Sequence, residues 1–300
     1  MIVWAVKRLE KALARMPRAR AMRWGAVLGR FLGSVLRLRR REVARNIARC
    51  FPGRPPAEIR AITDGMYRNF GLLLVEVLRF GAVDRRHLRE LVELDGENPL
   101  PRVLAQGKGA LVLTAHIGNF ELLCTMAPLF GVPLTVITKT IKPAALNDHW
   151  EQARRRLGVK TLPPRNSYRA CRQVLKQNEV LGFVLDQNMK RKHGIFVEFF
   201  GRPACTSPGL AFLSARSQAP VIPVFMIRQP DGRHRVKIFP PLPPPGDCEP
   251  ETIRAATQTY TRVIEDVIRE YPAQWTWMHR RWRTQPMEEK AEGGRLKGAG

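Results

Sequence analysis

The sequence predicts an α/β fold: a mixed, mostly parallel sheet flanked by helices, preceded by a basic helical region. Two observations carry that expectation. From residue 110 onward, short apolar runs alternate with segments of helical period. Before that, the first 60 residues hold sixteen Lys and Arg against three acidic residues, with apolar side chains at helical spacing.

The N-terminal stretch places Ile2, Val6, Leu9, Leu13 and Met16 on one helical face, and Lys7, Arg8, Lys11 and Arg15 largely elsewhere, until Pro17 breaks it. A second helical stretch runs from Met22 to Leu38 and leads into Arg39-Arg40-Arg41. Glu42 to Cys50 reads as a helix, and Pro56 to Phe80 as two further helical stretches. Within the latter, Glu76 sits among leucines and valines and needs a partner if buried. Asp95 to Gly109 is loop-rich.

Ala110 to Ala115 reads as a buried strand, and Glu121 to Phe130 as a helix stopped by Gly131 and Pro133. Leu134–Thr138, Val180–Leu185, Val221–Ile227 and Arg235–Phe239 read as strands, the last two joined by Pro230-Asp231-Gly232. Pro143–Leu157, Tyr168–Lys176, Pro208–Ser217 and Thr252–Tyr271 read as helices. The expected organisation is a membrane-associating helical region over 1–80, an α/β domain over 81–285 and a disordered tail over 286–300.

The chain has 300 residues, 44% of them hydrophobic, enough for one large α/β domain or two small ones. A formal net charge of +25 and a pI near 11.1 imply a polyanionic partner, either an anionic membrane surface or nucleic acid. A basic amphipathic helix carrying Trp4 and Trp24 reads as an element lying on an anionic membrane, and equally as a solvated face of a packing helix. Trp24 to Leu36 is the most apolar candidate for a span, and Arg30 interrupts it. Five cysteines without a CxxC pair, and six scattered histidines, fit a reducing compartment and point to no metal site.

The chemistry concentrates in His116-Ile117-Gly118-Asn119-Phe120-Glu121, where a strand hands over to a helix. Residues five apart on one helix are turned by about 140° from each other, and on one strand they face opposite ways. His116 and Glu121 therefore meet only if the chain turns between them. Gly118 permits such a turn, and Asn119 is a plausible helix cap. A carboxylate on one imidazole nitrogen fixes the tautomer and raises the basicity of the other, which makes a general base. The same spacing also fits a surface ion pair. Asp186 follows a strand as His116 does, so the two have the same position relative to the sheet and come close if their strands are neighbours.

Several blocks together resemble the lipid A biosynthesis acyltransferases, within the glycerolipid acyltransferase superfamily. His116 to Glu121 is similar to the family's H-x-G-N-W-E block, a version of HX4D/E, and Arg154-Arg155-Arg156-Leu157-Gly158 to the R-R-R-F-G after it. Asp186-Gln187, Gly194 to Gly201, Ala204-Cys205-Thr206 and Gly209 resemble a further block. Gln274-Trp275 with Trp277 to Trp282 resembles the C-terminal aromatic signature, and Arg45-Asn46-Ile47 with Cys50-Phe51-Pro52 an upstream one. Two departures stand out: the start is basic rather than an apolar anchor, and Lys139 replaces a strand-end Arg.

The resemblance implies acyl transfer from an acyl thioester, carried by acyl carrier protein or coenzyme A, to a hydroxyl of a glycolipid acceptor, with no cofactor and no metal. His116 would be the base and Glu121 its orienting carboxylate. Backbone amides at Gly118 and Asn119 would face the developing oxyanion. Arg154, Arg156 and Arg165 are candidates for phosphate groups, and Asp186 for sugar hydroxyls or for an arginine. The implied location is peripheral or monotopic, on the cytoplasmic face of the inner membrane. A lysophospholipid or another glycolipid is the alternative acceptor. A nucleic-acid-binding module rests on charge alone, with no groove-reading element, so no nucleic acid is expected.

Overall fold

The computed structural model describes residues 2–80 and 85–287. Most of the expected 286–300 tail therefore lies outside the described residues.

Helix α1 (Ile2–Arg15) and helix α2 (Arg18–Arg30) flank Pro17, and α2 runs on into a π-helical turn over Phe31–Val35. Helix α3 (Arg40–Cys50) follows. The region expected to hold two helical stretches is one helix, α4 (Pro56–Arg79). Pro56 sits at its first turn, where the missing N–H costs nothing. Two glycines lie inside it, Gly65 and Gly71, and both are closely packed: a Cβ on Gly65 would meet Ala273 at 2.8 Å. A Cβ on Gly71 would come within 2.2 Å of the Gly25 carbonyl oxygen, and one on Gly29 within 2.2 Å of that of Tyr67. α2 and α4 thus cross at backbone contact.

The sheet has seven strands. They are β1 (Val92–Asp95), β2 (Ala110–Thr114), β3 (Leu134–Ile137), β4 (Lys160–Leu162), β5 (Val180–Val184), β8 (Val221–Arg228) and β9 (His234–Ile238). Their order is β1-β9-β8-β2-β5-β3-β4, parallel throughout except for the antiparallel β8–β9 pair. The fold is the expected mixed, mostly parallel sheet. Past β5, a stretch for which the sequence predicts no element forms a separate hairpin of β6 (Ile195–Phe199) and β7 (Arg202–Thr206).

Helices α5 (Arg85–Glu90), α6 (Leu100–Leu104), α7 (Phe120–Met126), α8 (Ala144–Arg156), α9 (Tyr168–Lys176), α10 (Gly209–Ser217) and α11 (Pro250–Glu270) complete the elements. A 3-10 turn over Ala127–Phe130 extends α7. Central β2 is buried on both faces: Leu111 and Leu113 belong to one core cluster, Ala110 to another with Leu134, Val180 and Ile222. Val43, Ile47, Met66 and Tyr67 from α3 and α4 join the first cluster, so the N-terminal helices share a core with the sheet. Strands β2 and β5 are neighbours in register, Thr114 opposite Val184, which brings the residues just past their carboxyl ends together.

Candidate active site

His116 lies two residues past the end of β2, and Asp186 two past the end of β5. Their side chains meet: His116 Nδ1 is 2.8 Å from Asp186 Oδ1. Asp186 is 4% exposed and is held from two further directions. Its Oδ2 accepts the His116 backbone N–H at 3.1 Å and the Trp275 indole N–H at 2.6 Å. An ionised carboxylate accepts only, so His116 Nδ1 carries the proton of that bond and Nε2 keeps its lone pair. The Gln187 amide nitrogen lies 3.1 Å from Nε2 and donates to it.

Burial by itself would raise the Asp186 pKa. The His116 charge and the hydrogen bonds from His116 and Trp275 overcome that and hold it near 2. Burial also opposes charging His116, but the charge and hydrogen bond of Asp186, helped by the more distant charge of Glu121, leave its pKa raised above 6.5. Lys139, exposed at the end of β3, acts in the opposite sense on His116. His279, on the C-terminal loop, is pushed down to about 4, mainly by burial, and stays neutral at pH 7.

The turn between His116 and α7 is made as its residue types predict. Gly118 has φ +56°, and a Cβ there would sit 1.8 Å from the Met226 carbonyl oxygen, so only glycine fits. Asn119 caps α7, its Oδ1 accepting the Leu122 N–H at 3.0 Å. Two expectations about this turn need correction. The Gly118 N–H donates to the Gln274 carbonyl at 3.0 Å and the Asn119 N–H to that of Met226 at 3.3 Å. Both amides are already used by β8 and the C-terminal segment, which removes them as oxyanion donors. Glu121, in turn, does not orient His116. Both its oxygens are taken by Arg154 Nη2, at 2.9 and 3.0 Å. The first turn of α7 carries Glu121 toward α8, while Asp186 from the adjacent strand occupies the imidazole.

The remaining site candidates separate. Arg154 is buried between Glu121 and Glu151, the latter at 3.2 Å, and so acts as an internal counter-ion rather than as a phosphate ligand. Arg156 and Arg165 are exposed on α8 and on the loop after β4. Asp186 lies against the histidine rather than against an arginine.

Behind the turn lies a buried charge network that explains Glu76. Its carboxylate receives both Arg228 Nη atoms at 2.6 Å, the Asn119 amide at 2.7 Å and His234 Nε2 at 3.1 Å. Burial would raise the Glu76 pKa, but His234 and Arg228 hold it near 2. The second amide donor of the cap residue therefore ends on α4, and the turn that presents His116 is tied to β8 and β9. The available signal was a lone carboxylate in an apolar run; its partner is the arginine that ends the apolar run of β8.

Gln187 and the C-terminal aromatics, known from the sequence only as parts of family-like blocks, both reach the site. The aromatics pack: Trp275 and Trp277 are 1% and 0% exposed, with ring centroids 4.5 Å apart. Trp275 also holds Asp186, and Thr276 donates its backbone N–H to the His116 carbonyl at 3.0 Å.

On the face of the sheet covered by α7 lies a cavity of about 210 Å3. Its walls include Val112, Leu123, Met126, Val224, Met226 and Ile238, and Asn98 is the one polar residue lining it. Among the described residues no group of His, Cys, Asp and Glu could hold a metal ion, and no helix is long and apolar enough to cross a membrane.

The sequence pattern of the family described as bacterial lipid A biosynthesis acyltransferase matches residues 1–284. The chain is 29% identical to the lipid A biosynthesis palmitoleoyltransferase of Escherichia coli (strain K12) over 271 residues, 88% of this chain and 86% of that one. It is 27% identical to the lauroyltransferase of the same organism over 278 residues, covering 91% and 89% of the two chains. To a phosphatidylinositol mannoside acyltransferase of Mycolicibacterium smegmatis it is 25% identical over 249 residues, 80% and 79% of the two. The chain belongs to the bacterial lipid A biosynthesis acyltransferases.

Proposed function

We propose that this enzyme moves a fatty acyl chain from an acyl thioester, on acyl carrier protein or coenzyme A, to a hydroxyl of a lipid A precursor, with His116 as general base oriented by Asp186. The observation that carries the reading is the imidazole at the carboxyl end of β2, with Nδ1 fixed on a buried carboxylate and the Nε2 lone pair met by the displaceable Gln187 amide.

In the reaction, the acceptor hydroxyl replaces the Gln187 amide at Nε2 and gives its proton to the imidazole. Its oxygen forms the ester bond to the thioester carbonyl carbon. The carbon–sulfur bond breaks, and the leaving thiolate takes the proton back from Nε2. The thioester is already activated, so no acyl-enzyme is needed. With the Gly118 and Asn119 amides engaged, the developing oxyanion is assigned to the Lys139 ammonium, whose charge reaches His116. The acyl chain is assigned to the apolar cavity under α7, where each buried methylene is worth about 0.8 kcal/mol.

The protein is placed on the cytoplasmic face of the inner membrane as a peripheral enzyme. Supporting this, Trp4, Trp24, Val27, Val35 and Leu36 are all more than half exposed on the basic N-terminal helices. Such a face suits the interface of an anionic bilayer. A different glycolipid acceptor is the second reading, favoured by the relative named for acylating a phosphatidylinositol mannoside.

The test is acylation in vitro. Purified enzyme would receive a lipid A precursor, a lysophospholipid or another glycolipid, each with carrier-protein or coenzyme A thioesters, and products would be weighed by mass spectrometry. Acylation of the lipid A precursor, lost in His116→Ala, is the expected result. Product from lysophospholipid alone would keep the chemistry and overturn the acceptor.

A further inference from the structure

A second pocket, of about 240 Å3, lies where α3, the start of β7 and the C-terminal segment meet. Five arginines line it: Arg49, Arg202, Arg280, Arg281 and Arg283. One carboxylate lines it too, Glu42, and its ion pair, at 3.6 Å, goes to Arg45. Among the described residues none of the five arginines is in an ion pair with a carboxylate. Surface arginines usually spread apart or pair, because like charges in a shared concavity repel.

The buried member is the informative one. Arg281 is 1% exposed, and its charge is expensive to bury without a counter-ion. Its Nη1 donates to the Cys205 carbonyl at 2.9 Å and its Nη2 to Thr206 Oγ1 at 2.5 Å, which fixes the guanidinium, but both partners are neutral. Its Nε has no partner. Arg202 Nη1 is likewise buried without one, although the guanidinium lies 5.3 Å over the Trp282 ring. The pocket thus carries excess positive charge, and two arginine donors without a partner are buried in its wall.

We propose that this pocket binds a phosphate monoester, supplied by the headgroup of the glycolipid acceptor; this rests on the acyltransferase reading above. A dianion matches five guanidiniums and one carboxylate better than a phosphodiester with a single charge does. A small concavity with an inward-held arginine suits a compact anion rather than a flat acidic protein surface. The pocket also connects to the chemistry. Asn188, two residues after Asp186, bonds Thr284 at 3.0 Å, and the Met189 N–H donates to the same Cys205 carbonyl that Arg281 holds. Recognition of the acceptor phosphate, for which Arg154, Arg156 and Arg165 were the candidates, falls instead to this pocket.

The test has two arms, both on the full chain. In the first, inorganic phosphate is titrated by calorimetry at constant ionic strength, with chloride as control. The variants are the double change Arg49→Gln and Arg283→Gln, both exposed, and separately Arg281→Lys. Saturable phosphate binding weakened about tenfold or more in the double variant is expected. In the second arm, wild type and variants acylate matched acceptors with and without their phosphates. The wild-type preference for the phosphorylated acceptor in kcat/KM should shrink about tenfold in the double variant.

Absence of phosphate binding by wild type overturns the proposal whatever the second arm gives. A rise in KM for the acyl donor instead of the acceptor overturns it in favour of a carrier site. Phosphate binding with an unchanged acceptor preference keeps the anion site and overturns the headgroup as its source. If no acceptor is acylated at all, the acyltransferase reading fails, and the calorimetric arm still decides whether the pocket binds phosphate.

Discussion

His116 and Asp186 are 70 residues apart in sequence, and their side chains are 2.8 Å apart, each two positions past the end of one of two neighbouring parallel strands. The imidazole is thus oriented across the sheet, from the next strand, rather than from within its own motif. His116→Ala should lower kcat about 10²- to 10⁴-fold. In the wild type, kcat/KM should climb with pH through a midpoint above 6.5, because the Asp186 charge favours the protonated imidazole and the base works only when neutral. Asp186→Asn removes that charge but leaves the burial, so the midpoint should move to lower pH while the rate drops. An acid limb unmoved by Asp186→Asn would show that Asp186 does not act through His116.

Arg154 separates two acidic groups, Glu121 and Glu151, whose side chains are 17% and 14% exposed. Arg154→Ala should destabilise the protein by roughly 2–4 kcal/mol, since it leaves both carboxylates without their cation. Arg154→Lys should recover only part, because a single ammonium lacks the two separate nitrogens with which Nη2 holds Glu121 and Nη1 holds Glu151. Chemical denaturation of the three proteins measures this. If Arg154 instead contacts substrate phosphate, KM should rise with stability unchanged.

Glu76 is the hub of a network reaching Arg228, His234 and Asn119. Glu76→Ala should cost about 3–5 kcal/mol by stranding Arg228. The carboxyl titrates near 2 in the folded protein against 4.5 ordinarily, so its contribution is complete above 4.5 and fades as the pH falls toward 2. Denaturation of wild type and Glu76→Gln across that window should show a larger acid loss for wild type.

Leu123 faces the apolar cavity from α7, the helix that begins just after the His116–Asn119 turn. Leu123→Trp fills part of that space and should shift preference to shorter acyl donors. Competition among donors of mixed chain length, read by product mass, checks it. An unchanged length distribution would place the acyl chain elsewhere.

The alternation of strands and helices, the cap at Asn119 and the turn at Gly118 were legible because they depend on local chemistry. Asn119 does cap α7 and Gly118 does take a positive φ. The helix over 168–176 and the strand pair ending at residue 238 were equally readable from period and turn residues. The single long α4 was not, because the contact that tolerates Gly71 comes from α2. The Glu76 partner stayed hidden for the same reason: Arg228 is 152 residues away, and only the sheet brings it near.

By itself the sequence determined which residues stand at strand ends and helix starts, because periodicity, glycine and capping act within a few residues of each other. It also determined the family, through blocks whose order survives along the chain. Which carboxylate meets His116 was decided by the tertiary structure. Both Glu121 and Asp186 are available in sequence. The adjacency of β2 and β5 delivers Asp186 to the imidazole, while α8 supplies Arg154 to engage Glu121. The same holds for the Gly118 and Asn119 amides, consumed by Gln274 and Met226, and for five arginines gathered from three distant segments into one pocket. The physical reason is common to all three: a hydrogen bond or an ion pair depends on distances of a few ångströms, and those distances between remote segments exist only once the sheet order is set.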